Sequence, residues 1–300
     1  MGTGFSEAPL ALFTTLAPMA AASFIVIAYA FIAGKPTAEE ARRLDRWTAL
    51  PAVVMLLAMV AAFLHLANPL AAFEVFAGVG RSPLSNELLV VVLFSVVALV
   101  YWLCGLAGKL PTSGGVRTGL LVVLAVGSLA VAAACGMAYL IPTVPTWNNP
   151  LGVVAMLGYA LTGGAALGSA VCAMARVALP TQAPLCGAVL AGVGAVLALA
   201  ALGAQAAGLD AVANIWGAAS GLVPDLGLMV GAFGLCAAAA VVMIFLGKRS
   251  AGAAGAEGAQ AAAGRIVVAP VFAVGAAVLA AAGIFIVRIA FYGLYMGIAL

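Results

Sequence analysis

Residues 87–107 read ELLVVVLFSVVALVYWLCGLA, and after Glu87 no charge follows until Lys109. A run of about 20 such residues, wound at 1.5 Å per residue, matches the hydrocarbon thickness of a bilayer. Apolar and polar positions do not alternate along it, which argues against a barrel strand. Outward from this run the pattern repeats. Eight stretches qualify: residues 10–33, 49–67, 87–107, 118–141, 151–174, 185–208, 226–247 and 267–298. Polar or helix-breaking segments separate them: Gly34-Lys35-Pro36, Asn68-Pro69, residues 111–115, 142–150 and 180–184, and Pro224-Asp225. Residues 251–264 are Ala/Gly-rich and read as a flexible loop.

Composition agrees. The chain is 66% hydrophobic and 7% charged, with a mean hydropathy of +1.26. Soluble domains carry roughly 25% charged residues, so a soluble fold is excluded. In lipid the backbone must satisfy itself, which leaves helices. The expectation is an all-α polytopic integral membrane protein with eight transmembrane helices. It would form a single membrane domain over 1–300, with a division into two four-helix bundles, 1–141 and 142–300, left open. No nucleic-acid partner is expected; the bilayer is. Cys104, Cys135, Cys172, Cys186 and Cys236 stand singly in apolar stretches, without the paired spacing of zinc or iron–sulfur ligands. The first charge is Glu7, so the N-terminal apolar run lacks the basic start of a signal peptide and reads as a retained first helix.

Lys and Arg in short loops are held on the cytoplasmic side. Lys35, Arg42, Arg43 and Arg46 follow the first span, Lys109 and Arg117 the third, Arg176 the fifth, and Lys248, Arg249 and Arg265 the seventh. The intervening loops hold only Arg81, and Arg288 lies in the last span. This parity places both termini and loops 2–3, 4–5 and 6–7 outside the cytoplasm.

Ionisable groups inside membrane segments point to function. The only histidine, His65, ends the second span. It reads either as a satisfied interfacial residue or as a working imidazole. A bis-histidine haem cannot be built from one histidine, so a cytochrome b is disfavoured. Glu87 opens the third span, as a helix cap or as a partner of His65 on the same side of the membrane. An imidazole and a carboxylate at such a boundary can accept the two protons of a hydroquinone. Arg288 must either snorkel to the outer interface or pair with a carboxylate such as Glu87 or Asp225. Residues 141–150, with Trp147 and three prolines, form a stiff turn or a docking surface, and Trp216 could serve similarly.

Several segments together resemble the membrane-anchor subunits of the dimethyl sulfoxide reductase family, the DmsC type. They are Met1-Gly2-Thr3-Gly4-Phe5 with Glu7, Pro9-Leu10 and Phe13-Thr14, then Phe24-Ile25-Val26; Leu64-His65-Leu66 with Pro69, Ala72-Phe73, Val79-Gly80 and Leu84-Ser85-Asn86-Glu87; and Thr143-Val144-Pro145-Thr146-Trp147. The ending, Arg288 with Phe291-Tyr292, is less specific, and the fifth to seventh spans match only as hydrophobic lengths. The resemblance implies a subunit in a bacterial cytoplasmic (inner) membrane that oxidises menaquinol, its bound substrate, for anaerobic respiration. It implies two partners: a four-cluster iron–sulfur electron-transfer subunit and a molybdopterin catalytic subunit where terminal reduction occurs. No haem or iron–sulfur cluster is expected in this chain. The family's quinol-site histidine maps onto His65 and its acidic residue onto Glu87; Arg81, Trp147 and Arg288 are further candidates for the quinol site. The iron–sulfur partner would dock on the outer face, against loops 2–3 and 4–5. Alternatives are a quinone-reactive anchor of a polysulfide or nitrite reductase-type complex, a secondary transporter, and an anchor without catalytic role.

Overall fold

The computed structural model describes residues 2–66, 69–112, 114–250 and 265–297. The Ala/Gly-rich segment 251–264 lies outside them. The described chain is helical: α1 Gly2–Ser6, α2 Ala8–Ile32, α3 Ala38–Trp47, α4 Ala49–Leu64, α5 Pro83–Leu106, α6 Gly115–Met137, α7 Leu151–Met174, α8 Ala183–Ala207, α9 Leu226–Leu246 and α10 Pro270–Gly293. Among the described residues eight helices are long and apolar enough to cross a membrane, α3 and α4 counting as one. The spans agree with the sequence reading to within a few residues. The exception is the stretch after the first span, where a helix, α3, stands in place of a loop. Thr37 explains it: its hydroxyl accepts from the Glu40 amide at 3.3 Å, and the Glu40 carboxylate accepts from the Thr37 amide at 2.9 Å. This reciprocal box starts a helix wherever Thr-x-x-Glu precedes suitable residues.

Helices α2 and α7 are the most enclosed of the spans, and they pack on each other. Around them stand α4, α6, α8 and α10, with α5 against α6 and α9 against α8 and α10. In lipid, helix association relies on close packing rather than on expulsion of water, so small residues collect at the seams. Gly164 of α7 lies where an added Cβ would be 2.4 Å from the Ala22 Cβ of α2. Gly158 of α7 and Gly194 of α8 face each other's carbonyls in the same manner. Large apolar side chains such as Leu56, Leu228 and Leu235 point outward, where hydrocarbon would meet them.

The two ends of the bundle differ in charge. One holds the ends of α1, α4, α6 and α10 and the connections 65–82, 138–150 and 208–225. It carries Glu7, Glu74, Glu87, Asp210 and Asp225 against Arg81 and Arg288; we call it the acidic rim. At the basic rim, Asp45 of α3 and Arg117 of α6 form a buried bidentate pair at 2.7 and 3.0 Å. Tyr101 of α5 donates to Asp45 at 3.3 Å, and Phe31 of α2 lies under the guanidinium. Nearby, Glu40 accepts from the Ala178 amide at 2.8 Å, and Arg43 donates to the Ala175 carbonyl. Strands β3 (Lys248–Ser250) and β4 (Ile266–Val268) pair antiparallel there, and Leu179 bridges to Ile266. A shorter hairpin, β1 (residues 213–214) with β2 (217–218), caps the acidic rim between α8 and α9 and leaves Trp216 exposed.

Candidate functional site

Helix α4 closes at His65, whose amide donates back to the Ala62 carbonyl at 3.3 Å. The ring stands 35% exposed on the acidic rim, with Nδ1 3.4 Å from Oε2 of Glu7. Glu7 precedes α2 in the N-cap position, but its side chain makes no capping hydrogen bond.

Glu87 is placed differently. Ser82 caps α5 and Pro83 begins it, so Glu87 sits in the second turn, beyond capping reach. The capping reading is therefore overturned, because Ser82 already accepts from the Ser85 amide. The Glu87 side chain is buried, 2% exposed, and its Oε1 has no hydrogen-bond partner among the described residues. The Cys135 thiol of α6 lies beside it, and it interacts electrostatically with Arg288 and Tyr139. His65 and Glu87 form no hydrogen bond or ion pair with each other among the described residues. Each turns to different neighbours of the same rim.

Arg288 neither snorkels nor forms a close ion pair among the described residues. It is 3% exposed. Its Nε donates to Oγ1 of Thr14 at 2.8 Å and its Nη2 to the Tyr292 hydroxyl at 3.1 Å. The guanidinium lies over the rings of Phe291, Tyr292 and Tyr139, closest to Phe291 at 4.2 Å. Hydrogen bonds together with aromatic faces stabilise a guanidinium inside a protein, which an ammonium would not match. Tyr139 and Tyr292 hydrogen-bond through their hydroxyls. Thr14, Glu87, Cys135, Tyr139, Arg288 and Tyr292 thus form one buried polar cluster, drawn from α2, α5, α6 with the turn after it, and α10.

Trp147 roofs this cluster. It stacks on Phe291 with centroids 5.4 Å apart and planes 16° from parallel, and its Nε1 donates to the Phe291 carbonyl at 2.9 Å. Residues 141–150 thereby hold the end of α10. Arg81 is exposed and donates to the Ala77 carbonyl at 2.9 Å, which closes the 3-10 turn over Pro69–Gly78. Among the described residues neither of them hydrogen-bonds to His65. A small void beside Phe291, where α8, α9 and α10 meet, is lined by apolar side chains with Gln205 as its polar member.

Glu7 faces His65, and Thr14, Cys135, Tyr139 and Tyr292 surround Arg288 and Glu87; sequence reasoning assigned none of the five a role. One signal was available for two of them: Glu7 and Thr14 are seven residues apart. That separation puts them on the same face of a helix, roughly 10 Å apart along its axis.

The rim therefore offers a water-accessible imidazole with a carboxylate behind it, and an inner carboxyl with one free oxygen near a buried cation. Such groups can hold a polar ring head and move protons to water.

Comparison with known proteins supplies the context. Residues 1–294 match the family described as DMSO reductase anchor subunit (DmsC). Over 182 residues the sequence is 34% identical to YnfH, a polypeptide of an anaerobic dimethyl sulfoxide reductase of Escherichia coli strain K12, covering 60% of this chain and 63% of that protein. It is 32% identical over 240 residues to the C polypeptide of anaerobic dimethyl sulfoxide reductase from the same strain, covering 77% and 79% respectively. The corresponding C polypeptide of Haemophilus influenzae Rd is 31% identical over 151 residues, with 50% and 53% covered. The matched part thus spans less than two thirds of the first and third relatives. With its family match running nearly end to end, the chain belongs to the DmsC family of DMSO reductase anchor subunits.

Proposed function

We propose that this chain is the membrane anchor of an anaerobic DMSO-reductase-type complex. It oxidises menaquinol at the acidic rim and passes the electrons to a four-cluster iron–sulfur subunit, which feeds a molybdopterin subunit. The observation that carries this reading is Glu87. A carboxyl buried among membrane helices, with Oε1 unpartnered, is costly to keep. A ligand hydroxyl would satisfy it. The family membership supports the complex, since relatives of this chain are named as polypeptides of dimethyl sulfoxide reductases. The alternation of basic loops supports placing the acidic rim outside the cytoplasm, in a bacterial inner membrane.

In this reading one quinol hydroxyl meets the His65 ring and the other meets Glu87, directly or through a water. His65 takes a proton from the first hydroxyl as a general base, and Glu87 receives the second. Loss of the protons makes the ring a stronger reductant, and the two electrons leave to the docked partner. Arg288 lends positive charge to the inner end of the site. The partner docks on the acidic rim, against residues 65–82 and 138–150, where the electron path is shortest.

The test uses the assembled complex in membranes. His65→Ala and Glu87→Gln should assemble and keep reduction of the acceptor by a soluble dye that feeds the partner subunits. Quinol-linked reduction should fall by about 100-fold or more, the scale of general acid–base catalysis. Wild-type quinol turnover in either variant would remove that residue from the mechanism.

A further inference from the structure

We propose that Glu7 is a positioning residue for His65, holding the imidazole in the tautomer and orientation that leave Nε2 free to accept a quinol proton. The inference rests on the quinol reading above and assigns a residue which that reading does not use. Oε2 of Glu7 is 3.4 Å from Nδ1 of His65, within ion-pair distance, and each side chain is about one-third exposed. The local sequence explains why this carboxylate is available. A side chain in the N-cap position ordinarily accepts from the amides of the first helical turn. Here Pro9 follows Ala8, so the second helical position has no N–H, and Glu7 makes no capping bond. Its longer side chain carries the carboxylate past its own helix to the end of α4.

A carboxylate facing Nδ1 keeps the ring proton there, since an ionised carboxylate can only accept. The lone pair then resides on Nε2. When a quinol hydroxyl delivers its proton, the O–H bond breaks and an Nε2–H bond forms. The resulting imidazolium still faces the Glu7 carboxylate, which holds the ring in orientation. The two electrons of the quinol go to the iron–sulfur partner, and the ring proton leaves to water at the exposed rim. Outer partners of this kind fix the tautomer and basicity of a working histidine.

The chain has one histidine, so isotope-labelled histidine in the full-length purified chain reports a single imidazole by nitrogen NMR. At alkaline pH the wild type should show the Nδ1–H tautomer. Glu7→Ala should shift it toward Nε2–H, whereas Glu7→Gln, whose amide oxygen also accepts, should retain Nδ1–H. Glu7→Asp should behave like Glu7→Ala, because the shorter carboxylate is a favoured cap and would turn to its own helix. In the assembled complex, kcat for a naphthoquinol should drop about tenfold or more in Glu7→Ala, with KM little changed and Glu7→Gln less affected. Dye-linked activity counts the assembled complex in each preparation. If Glu7→Ala does not accumulate, Glu7→Asp supplies the comparison. An unchanged tautomer, or a wild-type kcat, in the variant that accumulates overturns the inference; if His65→Ala still abolishes quinol turnover, the quinol reading survives. Normal turnover in His65→Ala overturns both.

Discussion

Arg288 Nε donates to Thr14 Oγ1 at 2.8 Å, joining α10 to α2 across 274 positions of sequence. The Thr14 hydroxyl in turn donates to the Leu10 carbonyl at 2.8 Å. It therefore satisfies a buried cation without leaving its own hydrogen unpaired. Thr14→Val keeps the shape and removes the acceptor. The stranded guanidinium N–H should cost about 1–3 kcal/mol, measured as a lowered midpoint of unfolding in detergent. Thr14→Ser should restore most of it. Equal midpoints for Val and Thr would show that the Tyr292 hydroxyl and the aromatic rings hold the cation without Thr14.

At the opposite rim, Asp45 and Arg117 are 3% and 4% exposed. Removing one partner of a buried pair strands the other, so Asp45→Leu should destabilise by about 3–5 kcal/mol. The double variant Asp45→Leu with Arg117→Met should recover much of that loss, because two apolar side chains need no solvation. Additive losses in this double-mutant cycle would argue that the pair is not energetically coupled.

The seam between α7 and α2 makes a contrast between glycines. Gly164→Ala brings a methyl to 2.4 Å from the Ala22 Cβ and should cost about 1–3 kcal/mol by forcing the helices apart. Gly192 of α8 has nothing within 4 Å of the added atom. Gly192→Ala should be neutral or stabilising by up to about 1 kcal/mol, the ordinary helix preference for alanine. Thermal unfolding of the two proteins side by side decides it.

Alkaline phosphatase fusions test the sidedness read from the basic loops. Fused after Trp216, the enzyme should be exported and active. Fused after Lys109, it should remain in the cytoplasm and inactive. The reverse pattern would put the acidic rim on the cytoplasmic side while leaving the helix packing unchanged.

The spans were legible because crossing a bilayer is a local requirement. Length and hydropathy along 20 or so residues decide it, and neither depends on what the helix packs against. For the same reason α7, read as 151–174, is found as Leu151–Met174. Helix α3 was hidden among charges, although its Thr37-x-x-Glu40 box was present in the sequence. The polar residues were legible as anomalies too: His65, Glu87 and Arg288 each stood out against an apolar background.

Their partners were not legible. Reading Glu87 as the opening residue of its helix placed it at the mouth beside His65, but starting the helix at Pro83 moves it into the second turn and toward Cys135 and Arg288. Four residues advance a helix by more than one full turn, so a small error in the start changes which neighbours a side chain meets. Arg288 found a threonine, a tyrosine and aromatic faces where a carboxylate or the interface was expected, because α10 packs on α2 with Thr14 at the contact. The amino-acid order by itself determined how many spanning helices form, where they lie and which polar residues they carry. Which of those residues meet was decided only by helix rotation and packing, since contacts between distant segments depend on the azimuth of every helix in the bundle, and hydropathy does not encode azimuth.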